Sequence, residues 1–270
     1  MASPSADNLK MHTDFTAAVG FTWYTLAMIE RDGQTECVNF TGADRVCTVL
    51  YASRLLPVPD ARQFNASAYG SARPVTGQGG RGGAWFVETS TGQAVLKHYR
   101  RGGRAALLSE ASYLYTGLAR ARSFAEYRML AVLRCQGLPV PEPMAAFCLR
   151  SGLTYRAALL TRYIPEARSF ADRIRQGDAP WAEVGALIAR FHRAGAQHAD
   201  LNANNILCNA DGLHIIDWDK GRMHGRAGIW TGRVLARLQR SIDKECPMVG
   251  AAERSEGFQR LLAAHKEGLA

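Results

Sequence analysis

The sequence predicts a two-lobed α+β fold, with an antiparallel sheet and one helix in the N-terminal lobe and a mainly helical C-terminal lobe. Three observations carry this. Two strand-like runs, Ala84 to Glu88 and Ala94 to Tyr99, flank a Thr89-to-Gly92 turn. A helix is then expected from Ser123 to Gln136, stopped by Gly137 and kept from continuing by Pro139, Pro141 and Pro143. Past a buried strand at Leu159 to Ile164, Pro180 to Gly195 is amphipathic, with Val184, Leu187, Ile188 and Phe191 on one face. The expected divisions are 1–40, an N-terminal extension of unknown role; 41–162, the N-terminal lobe; and 163–270, the C-terminal lobe.

Length and composition agree with this. A chain of 270 residues, 47% hydrophobic and 21% charged, buries a sizeable core. Its six cysteines are irregularly spaced without a C-x-x-C pair, which argues against a disulfide framework or a zinc site and fits a reducing compartment. A formal charge of +9 points to anionic partners, whether nucleotide phosphates, nucleic acid, an acidic leaflet or a phosphorylated substrate, and charge alone does not choose among them. Phe15 to Ile29 is too short to span a bilayer and lacks a basic start and a cleavage site, so the chain reads as soluble or interfacial.

In chain order, Arg45 to Tyr51 reads as a strand entering the fold. Gly77 to Gly83 then opens the hairpin. Glycines let a backbone approach phosphates and aim N–H groups at them, which makes Gly79, Gly80, Arg81 and Gly82 candidates for nucleotide binding, with Lys97 of the second strand reaching phosphate oxygens. The plainer reading is a flexible loop beside an edge lysine. Glu126 has two readings: it holds Lys97 in place, or it closes a capping box with Ser123 on its own helix. Leu159 to Ile164 leaves its strand where a hinge between lobes belongs, and exposed backbone there would read adenine.

The helix ending at Gly195 delivers the chain into His198-Ala199-Asp200-Leu201-Asn202-Ala203-Asn204-Asn205, followed by Ile215-Ile216-Asp217-Trp218-Asp219. The spacing is that of phosphoryl transfer: Asp200 as the base for a hydroxyl, Asn205 five positions later and Asp217 downstream as ligands of Mg²⁺. Ile206 to Cys208 and Leu213 to Ile216 read as strands joined at Asn209-Ala210-Asp211-Gly212, and folding them antiparallel returns Asp217 to the side of Asn205. A surface hairpin with capping polar residues is the alternative, and the joint spacing favours catalysis. His198 reads as a buried residue positioning the loop, and His192 as a helix residue near its C-terminal end. Arg233, Arg237, Arg240 and Lys244 recur on the last helical stretch, as a solvated face or an anion-facing one.

The order of these motifs resembles the protein-kinase-like fold, and the wording is similar to the family of bacterial 3-deoxy-D-manno-octulosonic acid (Kdo) kinases, which act on the lipopolysaccharide core. The likeness covers roughly residues 45 to 245 and is strongest at Gly80-Arg81-Gly82, Val95 to Gly103, Arg122 to Glu126, Gly137 to Pro141, Tyr155 to Leu159, Arg190-Phe191-His192 and His198 to Asn202. It implies an enzyme that uses ATP with Mg²⁺ to phosphorylate a Kdo hydroxyl on a lipid A precursor, with Asp200 as the base. It implies as partners that Kdo-lipid and an anionic membrane surface, no nucleic acid, and a peripheral place at the cytoplasmic face of the bacterial inner membrane. A heptose or aminoglycoside kinase of the same fold is the nearest alternative. A non-catalytic pseudokinase scaffold is a further one, which the complete set Lys97, Asp200, Asn205 and Asp217 opposes. Ala199 replaces the Arg that many protein kinases carry, Asp219 stands where D-F-G has Gly, and Trp218 and Lys220 stand where the family usually has Phe and Arg.

Overall fold

Thr154–Arg162 contains Ala157-Ala158-Leu159-Leu160, an unbroken apolar run, which is the pattern of a strand covered on both faces. It lies in the middle of the sheet. The computed structural model describes residues 24–25, 35–42, 44–75, 83–99 and 112–270. Within them the N-terminal lobe contains β1 (Tyr24–Thr25), β2 (Glu36–Thr41), β3 (Arg45–Tyr51), β4 (Arg73–Pro74), β5 (Ala84–Thr89), β6 (Gly92–His98), β7 (Tyr113–Leu114), helix α1 (Arg122–Cys135), β8 (Pro143–Ser151) and β9 (Thr154–Arg162). The sheet order is β1-β2-β3-β8-β9-β6-β5-β4, with β7 added beside β9, and each pairing is antiparallel.

Alternation sorts the side chains of the central strands between two layers. Leu50, Ala146, Cys148, Ala157 and Leu159 join Phe124, Leu130 and Leu133 of α1. Val49, Tyr51, Ala145, Ala158 and Leu160 join Leu55, Leu56 and Phe64 on the opposite face. The expected boundary at residue 40 therefore cuts a strand, since Glu36–Thr41 pairs along its whole length with β3. Val38 of β2 is buried and Phe40 packs beside it, an alternation only two apolar residues long.

Helix α1 begins at Arg122, one residue before the expected start, and its N-cap Ala121 makes no side-chain cap. Ser123 donates to the Phe147 carbonyl at 2.8 Å, so the Ser123–Glu126 capping box does not form. At the other end Gly137 takes φ +70°, and the Leu138 N–H returns to the Leu133 carbonyl at 3.0 Å, the closure that a left-handed residue permits.

The C-terminal lobe holds β10 (Arg168–Ser169), α2 (Phe170–Gln176), α3 (Trp181–Arg193), β11 (Ala196–Gln197), β12 (Ile206–Asn209), β13 (Gly212–Ile215), β14 (Arg222–Met223), α4 (Trp230–Glu245) and α5 (Ala251–Leu269). Val184, Leu187, Ile188 and Phe191 of α3 are buried, as their spacing predicts. The basic stretch is not the last helix, because α5 follows it and packs on α3. Two glycines set that contact. A Cβ on Gly185 would lie 2.1 Å from the Leu261 carbonyl oxygen, and one on Gly257 would lie 2.2 Å from the Trp181 ring.

His192 stands in the last turn of α3, as expected, but it is also buried, and its Nδ1 lies 2.8 Å from Nε2 of buried His265 on α5. One ring donates and the other accepts, which requires at least one unprotonated nitrogen between them. Burial, reinforced by His265, pushes the His192 imidazole from 6.5 down to about 3, and burial also lowers His265. Because the folded values lie below the unfolded ones, the unfolded chain binds more protons in acid, and stability is lost as pH falls from about 6.5 toward 3. The denaturation midpoint is therefore expected to drop on acidification through this window, and less steeply in His265→Gln. An identical slope in that variant would rule the pair out as the cause.

Candidate active site

Lys97 and Tyr99 are two residues apart on one strand edge, so both side chains face α1. Lys97 Nζ lies 2.8 Å and 3.1 Å from the two carboxylate oxygens of Glu126, and 2.5 Å from Oδ1 of Asp217. The Tyr99 hydroxyl donates to the same Glu126 carboxylate at 2.5 Å. Of the two readings of Glu126, this geometry takes the lysine pair. Burial works against the charge on Lys97, but Glu126 and Asp217 outweigh it and raise the ammonium above its ordinary value. Burial likewise opposes ionisation of Asp217, and Lys97 overrides it, holding the carboxyl below its usual range. Tyr99 stays a phenol, pushed well up by burial and by Glu126.

A second tie joins the lobes beside this one. Arg122 donates through Nε to Asp219 Oδ1 at 3.0 Å and through Nη2 to Oδ2, while its guanidinium lies 5.1 Å from the Tyr99 ring centre and 5.0 Å from that of Tyr113. Asp219, the departure from D-F-G, thus has a structural partner on α1. Trp218 is buried, stacks on Phe191 at 5.1 Å between ring centres and donates Nε1–H to the Ile215 carbonyl at 3.0 Å.

The loop that carries Asp200 starts from Gly195, at φ +75°, where a Cβ would stand 1.9 Å from the His224 carbonyl oxygen, so only glycine lets the chain turn there. His198 follows, buried, with Nε2 at 2.9 Å from the Ile216 carbonyl and Nδ1 accepting the Asp200 N–H at 3.1 Å. A nitrogen that accepts from an amide carries no proton, and burial lowers the imidazole further, so His198 is a neutral strut between loop and hairpin and not a base. Asn202 receives the Asn204 and Asn205 N–H groups on its side-chain oxygen at 3.0 and 3.1 Å. The amide nitrogens of Asn202 and Asn205 both donate to the Asp200 carbonyl at 3.1 Å.

The hairpin folds as the sequence predicts, with Ile206 opposite Ile215 and Asn209 opposite Gly212. One further bond, Ile216 N–H to the Asn205 carbonyl at 2.9 Å, carries the ladder to the two residues expected at the metal. Asn205 spends its amide nitrogen on the loop, which leaves Oδ1 as the acceptor, and Asp217 is kept ionised at φ +62° with its side chain 43% exposed. An amide oxygen and a charged carboxylate suit a hard divalent cation such as Mg²⁺. Among the described residues no cluster of three or more His, Cys, Asp or Glu forms a closed metal site. The remaining ligands would be water and phosphate, as Mg²⁺ prefers.

Asp200 has a partner the sequence did not reveal. Arg237 of α4 donates through Nε to Asp200 Oδ1 at 2.6 Å and through Nη2 to the same oxygen. The recurrence of Arg233, Arg237, Arg240 and Lys244 marked the face, but nothing in the spacing picked out the member that meets the loop. Tyr99 was within reach of sequence reasoning, because it shares Lys97's side of the strand. The expected phosphate loop, Gly79, Gly80, Arg81 and Gly82, lies outside the described residues. At the expected hinge the Arg162 and Tyr163 N–H groups are engaged by the Glu142 and Gln93 carbonyls at 2.9 and 3.1 Å. Neither is free to read a base.

Glu126→Gln is expected to lower turnover roughly 10- to 100-fold, the value of a charge-assisted bond, since Gln fills the space without balancing Lys97. Steady-state kinetics beside a thermal melt check it. A folded variant with normal turnover would remove Glu126 from the site.

A family model described as "Lipopolysaccharide kinase (Kdo/WaaP) family" matches residues 68–258. A 3-deoxy-D-manno-octulosonic acid kinase of Stenotrophomonas maltophilia (strain R551-3) is 50% identical over 200 residues, spanning 73% of this chain and 80% of the relative. One of Xanthomonas oryzae pv. oryzae (strain PXO99A) is 45% identical over 222 residues, spanning 81% and 89%. Among solved structures, WaaP in complex with acyl carrier protein aligns at TM-score 0.46 and 18% identity over 78% of this chain and 85% of that one. An aminoglycoside-3'-phosphotransferase of type VIII aligns at 0.46 and 17% over 76% and 98%.

Proposed function

This chain belongs to the lipopolysaccharide kinase (Kdo/WaaP) family and is a phosphotransferase, and from that premise we propose that it moves the γ-phosphoryl group of ATP to a hydroxyl of a Kdo residue on a lipid A precursor. The observation that supports this most is Lys97 bonded to both Glu126 and Asp217, beside a loop that presents Asp200. Lys97 meets phosphate oxygens, its charge maintained by the two carboxylates. Gly79, Gly80, Arg81 and Gly82, outside the described residues, are the sequence's candidates for meeting the phosphates. Asn205 and Asp217 would hold Mg²⁺, which would supply charge neutralisation at the phosphate oxygens. Asp200 accepts the hydroxyl proton as the sugar oxygen bonds to the γ-phosphorus, while the bond to the β,γ-bridging oxygen breaks and its electron pair leaves on ADP. Positioning and charge account for the rate.

We further infer a peripheral place at the cytoplasmic face of the inner membrane. Arg233 and Arg240 are exposed on α4, and no helix among the described residues is long and apolar enough to cross a membrane. Basic residues near an anionic surface contribute about 1 kcal/mol each and are screened by salt. The sequence carries further basic residues at Arg100, Arg101 and Arg104, which lie outside the described residues.

One assay tests both proposals. Labelled ATP is supplied with a Kdo-lipid A precursor, a heptosylated lipid or an aminoglycoside, the lipids presented in anionic or neutral vesicles across a salt series. Phosphate located on Kdo by mass spectrometry is the expected result, with transfer in anionic vesicles falling as salt rises. Transfer only to another acceptor overturns the substrate, and equal rates in both vesicles overturn the electrostatic docking.

A further inference from the structure

We propose that Arg237 is a specificity-determining residue that recognises the carboxylate of the acceptor sugar and so delivers the neighbouring hydroxyl to Asp200. The proposal rests on the Kdo-kinase reading, because an octulosonic acid carries a carboxylate that a heptose or an aminoglycoside lacks.

The placement of Arg237 is built into the fold. Helix α4 buries Val234, Leu235, Leu238 and Ile242, which fixes the opposite edge that carries Arg237. One turn further along that helix, Ser241 Oγ accepts the Ala203 N–H at 3.1 Å, so the helix is bonded directly to the catalytic loop. Arg237 reaches Asp200 from a docked helix, not from a free surface.

The geometry also leaves room for a second anion. Both Nε and Nη2 are spent on Oδ1 alone, and among the described residues neither Arg237 Nη1 nor Asp200 Oδ2 has a partner. A guanidinium offers five N–H groups in a planar fork, so the edge that includes Nη1 remains able to take a carboxylate while the other edge touches the base. The pair is exposed, 47% on Arg237 and 56% on Asp200, and an exposed pair contributes little by itself. Exchanging one of its bonds for a charge-assisted, bidentate contact with substrate is therefore favourable. Asp200 Oδ2 is then left for the hydroxyl. An acceptor without an anion would leave the guanidinium wholly on the base, competing for the lone pairs that must take the proton.

The test compares a Kdo-lipid A precursor with the same molecule whose sugar carboxylate has been converted to a carboxamide, using the full chain and its Arg237→Gln and Arg237→Lys variants. The parent is expected to prefer the acid by roughly 10- to 100-fold in kcat/KM, the range of a charge-assisted hydrogen bond. In Arg237→Gln that preference collapses toward equality through the acceptor KM, with the KM for ATP unmoved. Arg237→Lys, which keeps the charge without the fork, retains part of it and shows the same pattern if the Gln variant fails to fold. Equal slowing on both acceptors, with the preference intact, overturns the proposal and leaves Arg237 as a support of the loop. A parent enzyme indifferent to the carboxylate overturns it too. A parent inactive on both removes the Kdo reading itself, and the proposal with it.

Discussion

Asp200→Ala is expected to lose phosphoryl transfer by roughly 10²- to 10⁴-fold while binding ATP nearly as the parent does. The two effects separate because Asp200 stands outside the Lys97 cage. Its side-chain Oδ1 meets Arg237, whereas Lys97 is held by Glu126 and Asp217. Its backbone is fixed independently, since the Asp200 N–H rests on His198 and its carbonyl receives Asn202 and Asn205, and a substitution at Cβ leaves these bonds in place. Asp200→Asn tests the same point with the shape retained. Transfer to the Kdo-lipid and nucleotide affinity by calorimetry are the two readouts. Near-normal turnover in the alanine variant would end the assignment of Asp200 as the base.

Asp217→Asn is expected to weaken Mg·ATP binding and turnover together and to raise the Mg²⁺ concentration needed for half-maximal activity. Asn is the informative replacement. It is close in size, and it tolerates the φ of +62° that Asp217 adopts, a region where bulkier side chains are strained. What it removes is charge, at a position where burial already opposes the carboxylate and chiefly Lys97 keeps it ionised. Lys97 would then be balanced by Glu126 only. A loss on the order of 100-fold in kcat/KM is consistent with removing a charged ligand at a phosphate site. An unchanged Mg²⁺ requirement would show that Asp217 serves Lys97 and not a metal.

The chemistry was more legible in the chain than the architecture around it. The β12–β13 hairpin could be read because Ile206, Cys208, Leu213 and Ile215 alternate around an Asp-Gly turn, and its register then dictated that Asn205 and Asp217 share one end. Lys97 was legible only in company, from the glycine-rich stretch before its hairpin and the acidic residues downstream. The Arg122–Asp219 and Arg237–Asp200 contacts were not, because each joins residues from different lobes or distant elements, and no local period relates them. The capping box at Ser123 was a plausible local pattern that tertiary bonds displaced: Ser123 turned to Phe147 and Glu126 to Lys97. Helix α5 escaped notice for a similar reason. Its buried positions are Gly257, Phe258, Leu261 and His265, and half of that set is not hydrophobic until its partners Trp181 and His192 are known.

The turn between β12 and β13 sits at the end of the ladder away from Asn205 and Asp217, and Ala210, Asp211 and Gly212 are all exposed. Chain length there is decoupled from the spacing of the two ligands, because the pairs from Ile206 to Asn209 hold the register whatever closes the loop. A residue deleted inside either strand would reverse every side chain beyond it, while residues added at Ala210-Asp211 lengthen only a surface loop. This is where a purification epitope or a spectroscopic label can be inserted without disturbing the cleft, and where divergent relatives are free to vary in length.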